Sequence, residues 1–128
     1  MILLDTDVLI EVLRRGIAPH DWAISVITLI EFLRGLNPSK ISEVKKRLEK
    51  AFTVIPLTDE VIETYCKLYG TLKEKGTLIP DADLLIAATS IALKVPLATV
   101  NTKRYSRLKE HGLKLVVLPE LGISIKIL

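Results

Sequence analysis

The sequence predicts a single α/β domain, residues 1–128, in which a central parallel sheet is covered by helices on both faces. The length of the chain suffices for one domain with a buried core. Hydrophobic residues make up 49% of the chain and aromatic residues only 5%, which is typical of an aliphatic globular core and excludes a disordered or fibrous protein. Short apolar runs alternate with longer segments of helical periodicity. Because crossovers between parallel strands are right-handed, this alternation favours a parallel sheet between two helical layers.

The first half of the chain begins with two strand–helix units. The run MILL is followed by VLIEVLRRG, in which apolar residues recur at helical spacing until Gly16 supplies a stop. WAISVI then predicts a short strand and TLIEFLRGL a second helix. SEVKKRLEKA predicts a charged surface helix, and FTVIPL predicts the third strand.

The second half continues the same alternation. DEVIETYCKLYGTLKEKG predicts a long helix that ends at Gly76, and Pro80 marks the next joint. DADLLIAATSIALK is apolar nearly all round, which is typical of a buried helix. PLATV and KLVVLP predict two further buried strands. Since parallel sheets bind ligands at the carboxyl ends of their strands, we expect a functional site there.

Composition restricts the cellular setting. No apolar run reaches the roughly 18 residues of a membrane span, and the short start MILLD lacks the basic and long apolar regions of a signal peptide, so we expect a cytoplasmic protein. The single cysteine, Cys66, cannot form an internal disulfide, and its spacing among apolar residues predicts a core position. A net charge of +3 is compatible with a polyanionic partner without requiring one.

Acidic and amide side chains are placed near the predicted strand ends. Asp5 closes the first strand, Glu31 lies in the first turn of the second helix, Asp81 and Asp83 begin the buried helix, and Asn101 follows LATV. Carboxylates gathered at one sheet edge repel each other unless a cation neutralises them. Hard oxygen ligands favour Mg²⁺ or Mn²⁺ over zinc. The pattern therefore predicts a divalent-metal site, at which a phosphodiester could also bind.

Ordinary structural roles compete with this interpretation for most of the acids. Thr28 and Glu31 have the spacing of a capping box, and Asp81 after Pro80 is a good helix N-cap. Asp83 could act on the helix dipole as the second helical residue, as could Asp7 in the first helix. Asp5 differs from them, because a carboxylate that ends a buried strand is costly without a partner.

The ordered motifs resemble the PIN-domain family, and in particular the VapC-type toxin ribonucleases of toxin–antitoxin pairs. The resemblance rests on LLDTDVLIE, SVITLIEFLRG, IPDADLLIAATSIALKVPLATVN and YSRLKEHGLKLV, which cover nearly the whole chain. It implies that Asp5, Glu31 and Asp83 are the principal acids of a Mg²⁺- or Mn²⁺-dependent endoribonuclease that cleaves RNA by attack of water. It further implies a homodimer and a VapB-like antitoxin, encoded beside the toxin, that lies across an exposed groove of the amphipathic first helices.

Two positions depart from the family pattern. The fourth acidic position is Asn101, as is common in the VapC-type branch, and Arg104 occupies a place where an acid is frequent. An amide can hold a water or a ligand oxygen but adds no negative charge, so we expect one well-held metal ion and a weaker second one. Thr6 and Thr99 look like the small hydroxyl residues found beside the family site, where they would orient water or phosphate; helix capping and strand packing are their structural alternatives.

A basic group follows the last site-bearing strand. Lys103, Arg104 and Arg107 could bind RNA phosphates, although a solvated helix face explains the same residues.

Three other functions compete with the ribonuclease. LLDTDVL also resembles the opening of haloacid-dehalogenase-like phosphatases, but PDAD precedes LATVN, which is the wrong motif order, and Leu9 stands where Thr or Val is usual. A phosphoacceptor receiver domain would require an acid at the end of FTVIPL, and none is present. A non-catalytic RNA-binding PIN scaffold remains an alternative because of Asn101 and Arg104.

Overall fold

The computed structural model describes residues 1–18 and 20–117, and it confirms the α/β class. Five strands form one sheet in the order β3-β2-β1-β4-β5, and every pair of neighbouring strands is parallel. The strands are β1 (Ile2–Leu4), β2 (Trp22–Ser25), β3 (Thr53–Ile55), β4 (Leu97–Ala98) and β5 (Leu115–Val116). The α-helices are α1 (Thr6–Arg14), α2 (Val26–Leu33), α3 (Ile41–Ala51), α4 (Asp59–Glu74), α5 (Asp81–Leu93) and α6 (Thr102–Tyr105). Short 3-10 helices cover Pro38–Lys40 and Ser106–His111.

Successive strand residues enter two separate cores, one on each face of the sheet. In β1, Leu3 belongs to the core beneath α4 and α5, whereas Leu4 belongs to the core beneath α1, α2 and α3. Leu97 and Ala98 divide in the same way. This alternation follows from the two-residue period of a strand. It makes β1 and β4 apolar on both faces and gives the three-layer arrangement that the sequence predicts.

Local turn chemistry confirms two predicted helix ends. Gly16 and Gly76 have φ values of +62° and +68°, a conformation that glycine adopts without a steric penalty. Each lies just beyond the end of its helix, α1 or α4. Among the described helices, none combines the length and the apolar composition needed to cross a bilayer.

The boundaries of α2 and α5 correct two capping predictions. Helix α2 begins at Val26, inside the predicted strand WAISVI, because the Ser25 side chain accepts a hydrogen bond from the Ile27 amide and caps the helix there. Thr28 is therefore an interior helical residue, and the predicted capping box is wrong. In α5 the N-cap is Pro80, so Asp81 is the first helical residue and Asp83 the third.

Two further features differ from the sequence prediction or lie beyond the description. Cys66 is exposed on α4 and does not fill the core, because the buried face of that helix is formed by Val61, Leu68 and Leu72. The end of the predicted strand KLVVLP and the end of the predicted domain, residues 118–128, lie outside the described residues.

Candidate active site at the carboxyl ends of the strands

Asp5 occupies the point where the central strand β1 becomes helix α1. Its backbone is extended, and its Oδ1 accepts a hydrogen bond from the Val8 amide at 2.9 Å, so that the side chain caps α1. The residue is only 1% exposed, and Oδ2 has no hydrogen-bond partner of ordinary geometry among the described residues. A buried carboxylate oxygen without a partner is rare and costly. Asp5 therefore serves as a helix cap with one oxygen and leaves the other available to a ligand.

Burial also changes the acidity of Asp5. Removal from water raises the pKa of the Asp5 carboxyl from 3.8 to about 6, and the charge of Asp7 adds to the increase. The Thr99 hydroxyl, the Val8 amide and Arg104 act in the opposite direction without cancelling the effect of burial. The carboxylate thus lacks sufficient positive charge near it.

Glu31 reaches the same region from α2 and is held by hydroxyl groups. The Thr6 Oγ1 donates a hydrogen bond to Glu31 Oε1 at 2.6 Å and lies 3.2 Å from Thr28 Oγ1. On the solvent side, Arg34 Nη2 lies 3.8 Å from Glu31 Oε2. Thr6 directly follows Asp5, so the hydroxyl connects the acid of α2 to the end of β1. This places Thr6 beside the acids, as the sequence predicts.

Asp83 enters from the first turn of α5 and shares a cation with Asp7. Arg104 Nη1 lies 3.3 Å from Asp7 Oδ2 and 3.7 Å from Asp83 Oδ1. Burial raises the pKa of Asp83, as do the charges of Glu31 and Asp7, while Arg104 opposes them. Because these charges affect each other, the acids of α1, α2 and α5 lie in one electrostatic cluster.

The chain and its fold are similar to known proteins. A sequence profile of the PIN domain matches residues 2–111. The chain belongs to the PIN-domain family. Ribonuclease VapC1 of Methanocaldococcus jannaschii is 41% identical over 116 residues, which cover 89% of this chain and 85% of the relative. Ribonuclease VapC10 of Mycobacterium tuberculosis is 34% identical over 111 residues, with 79% and 83% covered. The structure of VapBC-1 from nontypeable Haemophilus influenzae superposes with a TM-score of 0.74 at 25% identity, over 91% of this chain and 98% of that chain.

Asn101, the residue at the fourth position of the PIN-domain pattern, also has a structural role. Its side-chain Oδ1 caps α6 by accepting a hydrogen bond from the backbone N–H of Arg104 at 3.4 Å. Its backbone N–H donates a hydrogen bond to Thr99 Oγ1 at 3.1 Å. The chain therefore brings Asn101 and Thr99 to the end of β4, next to β1.

Tyr105 lies beside the acidic cluster, and the sequence did not reveal this position. It is fully buried, and its hydroxyl has no hydrogen-bond partner of ordinary geometry among the described residues. Burial raises its pKa, and the charges of Asp5 and Asp83 raise it further, which places the hydroxyl near both acids. In the sequence, Tyr105 is an aromatic residue with a hydroxyl group on an apolar helix face, a pattern that core packing explains equally well.

The three basic residues behind the site differ in their surroundings. Lys103 is exposed, and Arg107 Nη1 donates a hydrogen bond to the Thr77 carbonyl at 2.8 Å. Arg104 instead points into the acidic cluster. The sequence placed all three in one basic group, and it could not show that Arg104 pairs with acids far away along the chain.

The donor set suits a hard divalent cation but needs a rearrangement to form a complete shell. Asp5 Oδ2 is an unpartnered, buried oxygen atom, and the neighbouring donors are also oxygens. Within residues 1–18 and 20–117, no three His, Cys, Asp or Glu side chains are already grouped to hold a metal ion. Glu31 is bonded to Thr6, and Asp83 faces Arg104. Direct binding of an ion by Asp83 together with Asp5 therefore requires the Asp83 carboxylate to turn away from Arg104, whereas Glu31 can stay on Thr6 and act through water.

Proposed function

We propose that this PIN-domain protein is a Mg²⁺- or Mn²⁺-dependent endoribonuclease and the toxin of a toxin–antitoxin pair. The observation that carries the proposal is the Asp5 carboxylate, which is buried at the end of the central strand with one oxygen unpartnered. Asp7 acts on the charge of Asp5, and Asp7 and Glu31 act on that of Asp83, so these acids belong to one cluster. The names of the curated relatives, which are ribonucleases, favour this activity over a phosphatase or a receiver domain.

Each side chain of the site has a chemical role in this proposal. Asp5 and Asp83 would hold the divalent ion directly, and Asn101 would complete the site with its amide oxygen. Glu31 binds the ion through water or orients the water that attacks phosphorus, in a position fixed by Thr6. A divalent ion held by these residues would lower the pKa of water and would stabilise the negative charge that develops on the phosphodiester. Thr99 supports Asn101 and Asp5 from the end of β4.

Basic residues next to the site would position the RNA. Lys103 and Arg107 are exposed on the segment that follows Asn101, and Arg104 lies between them and the acids. Contacts of this kind are electrostatic, so RNA binding should weaken as salt concentration rises.

Cleavage of a mixed RNA pool tests the proposed activity. The purified protein is incubated with the pool in Mn²⁺ and, separately, in EDTA, and the new RNA ends are mapped. Cuts that depend on Mn²⁺ and disappear in Asp83→Asn support the proposal. RNA binding without metal-dependent cuts would contradict it in favour of a non-catalytic scaffold, and hydrolysis of small phosphomonoesters alone would favour the phosphatase.

The helices α1 and α2 offer an apolar surface for the antitoxin. Ile10 and Leu13 on α1 and Ile30 on α2 are exposed. The solved relative from Haemophilus influenzae is a VapBC complex, and we propose that a VapB-like antitoxin segment covers this surface in a homodimeric toxin. Co-purification with the product of the neighbouring gene should be lost in Ile30→Glu, and sedimentation at micromolar concentration should give a dimer. Unchanged co-purification of Ile30→Glu would contradict this placement, and a monomer in sedimentation would contradict the homodimer.

A further inference from the structure

Arg104 has an unusual set of partners. Its guanidinium contacts a carboxylate of α1, Asp7, and a carboxylate of α5, Asp83, although Asp7 is 97 residues away in sequence. The side chain is 34% exposed and the Asp83 side chain 18%. A pair that is only partly in water is screened less by salt than an exposed one. The contact is therefore a feature of the tertiary fold and more than a chance meeting of two surface side chains.

Without Arg104 the cluster would have a large excess of negative charge. Asp7 raises the pKa of both Asp5 and Asp83, and Arg104 lowers it in both. Arg34 is the other arginine that pairs with a site acid, and it reaches only Glu31 from the exposed side. Arg104 is thus the principal counter-charge between α1 and α5 within the described residues.

The unpartnered oxygen of Asp5 shows that Arg104 does not satisfy the whole site. Asp5 Oδ2 is buried without a hydrogen-bond partner of ordinary geometry among the described residues, whereas the Tyr105 hydroxyl interacts with Arg104 and Asp83. Of the five influences on the pKa of Asp5, that of Arg104 is the smallest, whereas for Asp83 it is the second largest. The guanidinium therefore neutralises the Asp7–Asp83 side of the cluster and leaves the Asp5 side open.

We propose that Arg104 is the resident counter-cation of the site and that it determines how many divalent ions the site accepts. Its guanidinium occupies the cation position between Asp7 and Asp83, so one divalent ion binds on the Asp5 side, and no second ion binds beside Asp7. Because Asp83 serves both cations, uptake of the divalent ion opens the Arg104–Asp83 contact and leaves Arg104 attached to Asp7. This inference rests on the metal-dependent site proposed above and adds to it a residue that controls cation affinity.

The released guanidinium links metal binding to substrate binding. Arg104 donates several hydrogen bonds and cannot lose its charge, which suits it to a phosphate oxygen once Asp83 no longer pairs with it. By linkage, a metal ion that frees Arg104 must increase the affinity for RNA, and RNA must increase the affinity for the metal ion by the same factor.

Titration of the full chain with Mn²⁺, without RNA, tests the role of Arg104. Calorimetry and the electron paramagnetic resonance signal of free Mn²⁺ give the affinity and the number of ions bound. In Arg104→Gln we expect the affinity to increase about fivefold to tenfold, which is the size of one partly screened charge interaction, with a second, weaker ion appearing. Arg104→Lys keeps the charge and should stay near the wild-type affinity.

A matched variant tests whether the effect on Mn²⁺ binding depends on where the positive charge is removed or only on the change in net charge. Arg47→Gln removes the same charge from an exposed ion pair on α3 and should leave Mn²⁺ affinity within about twofold of wild type, the limit set by salt screening at a distance. The rise in melting temperature caused by Mn²⁺ should be larger in Arg104→Gln than in Arg47→Gln, since binding to the folded state stabilises it.

Different outcomes overturn the inference and the proposed function. Equal or weaker Mn²⁺ binding by Arg104→Gln, in a protein whose wild type binds Mn²⁺ and cleaves RNA, would overturn the role of Arg104 alone. Two Mn²⁺ ions bound by the wild type would also overturn it. Absence of Mn²⁺ binding by every chain would overturn the metal site and with it the inference.

Discussion

Charged residues on α3 pair with near neighbours on the same helix, whereas those at the carboxyl ends of the strands pair across the fold. On α3, Lys45 pairs with Glu49 at 2.9 Å and Arg47 with Glu43 at 2.8 Å, each pair being four residues apart on one exposed helix face. At the strand ends, the acids come from three helices, and the arginine that meets two of them lies on a fourth.

The comparison teaches that burial and partners from distant parts of the chain distinguish the candidate site acids from the surface acids of α3. Glu43 and Arg47 are 63% and 76% exposed, and such pairs contribute about 0–1 kcal/mol. Asp5 is buried without a paired cation, which raises its pKa to about 6. One oxygen of Asp5 caps α1, but stability alone gives no reason for the second, unpartnered oxygen, which the proposed cation site would use.

Replacing Asp5 should produce the largest loss of activity. Asp5→Asn keeps a side chain that can cap α1 but removes the charge that holds the divalent ion, so we expect metal-dependent RNA cleavage to fall by about a thousandfold or more. Single-turnover cleavage of a defined RNA in Mn²⁺ measures the loss. Asp59→Asn, in the exposed first turn of α4, is the control and should retain full activity. Full activity in Asp5→Asn would sink the assignment of the site.

The same substitution should stabilise the metal-free protein. Because the folded pKa of Asp5 is about 6 and its ordinary value 3.8, the folded chain binds more protons between these values, and its free energy of unfolding falls as pH rises through them. The raised pKa of Asp5 means that its carboxylate destabilises the folded protein by about 3 kcal/mol at pH 7. Asp5→Asn removes this cost but leaves an unpaired buried amide, which costs about 1–2 kcal/mol.

Denaturant unfolding in EDTA at several pH values checks this effect. The free energy of unfolding of Asp5→Asn should exceed that of the wild type by about 1–2 kcal/mol at pH 7. This difference should remain constant above about pH 6 and decrease toward pH 4. A variant less stable than wild type at pH 7 would show that the carboxylate is not costly.

Much of the fold could be predicted from the sequence, as could the edge of the sheet to which the candidate acids are carried. The runs around Leu3 and Leu97 are apolar apart from Thr99, so they predict strands buried on both faces, and parallel strands carry their end residues to one edge. Asp5 was recognisable because an acid directly follows such a run. The fold prediction is confirmed because it depends on local periodicity and on topology rules, and the role of Asp5 stays a prediction.

Features that depend on competition between local groups could not be predicted as well. Ser25 and Thr28 can both cap a helix, and only the structure shows that Ser25 is the N-cap of α2. Thr28 instead contacts Thr6. Likewise, no periodicity reveals that Arg104 meets Asp7, because the contact depends on how α6 returns beside α1. Side-chain partners across the fold require tertiary geometry.

Removing the Thr6 hydroxyl should cause an intermediate effect on activity. Thr6→Val loses the 2.6 Å hydrogen bond to Glu31, so the acid is less well positioned, and we expect kcat to decrease about tenfold with little change in KM. Thr6→Ser keeps the hydroxyl and should restore most of the rate. Equal rates in Thr6→Val and wild type would mean that Glu31 does not depend on this contact.

The smallest effects are expected on α3, where the acids have local, exposed partners. Replacing Glu43 and Arg47 by Gln, singly and together, should give a coupling free energy of about 0.3–0.5 kcal/mol in a double-mutant cycle of denaturant unfolding, decreasing with added salt. RNA cleavage should be unchanged in all three variants, because the pair lies outside the acidic cluster. A loss of cleavage in the Arg47→Gln variant, with its stability intact, would place an RNA contact on α3 and remove the distinction between the two regions.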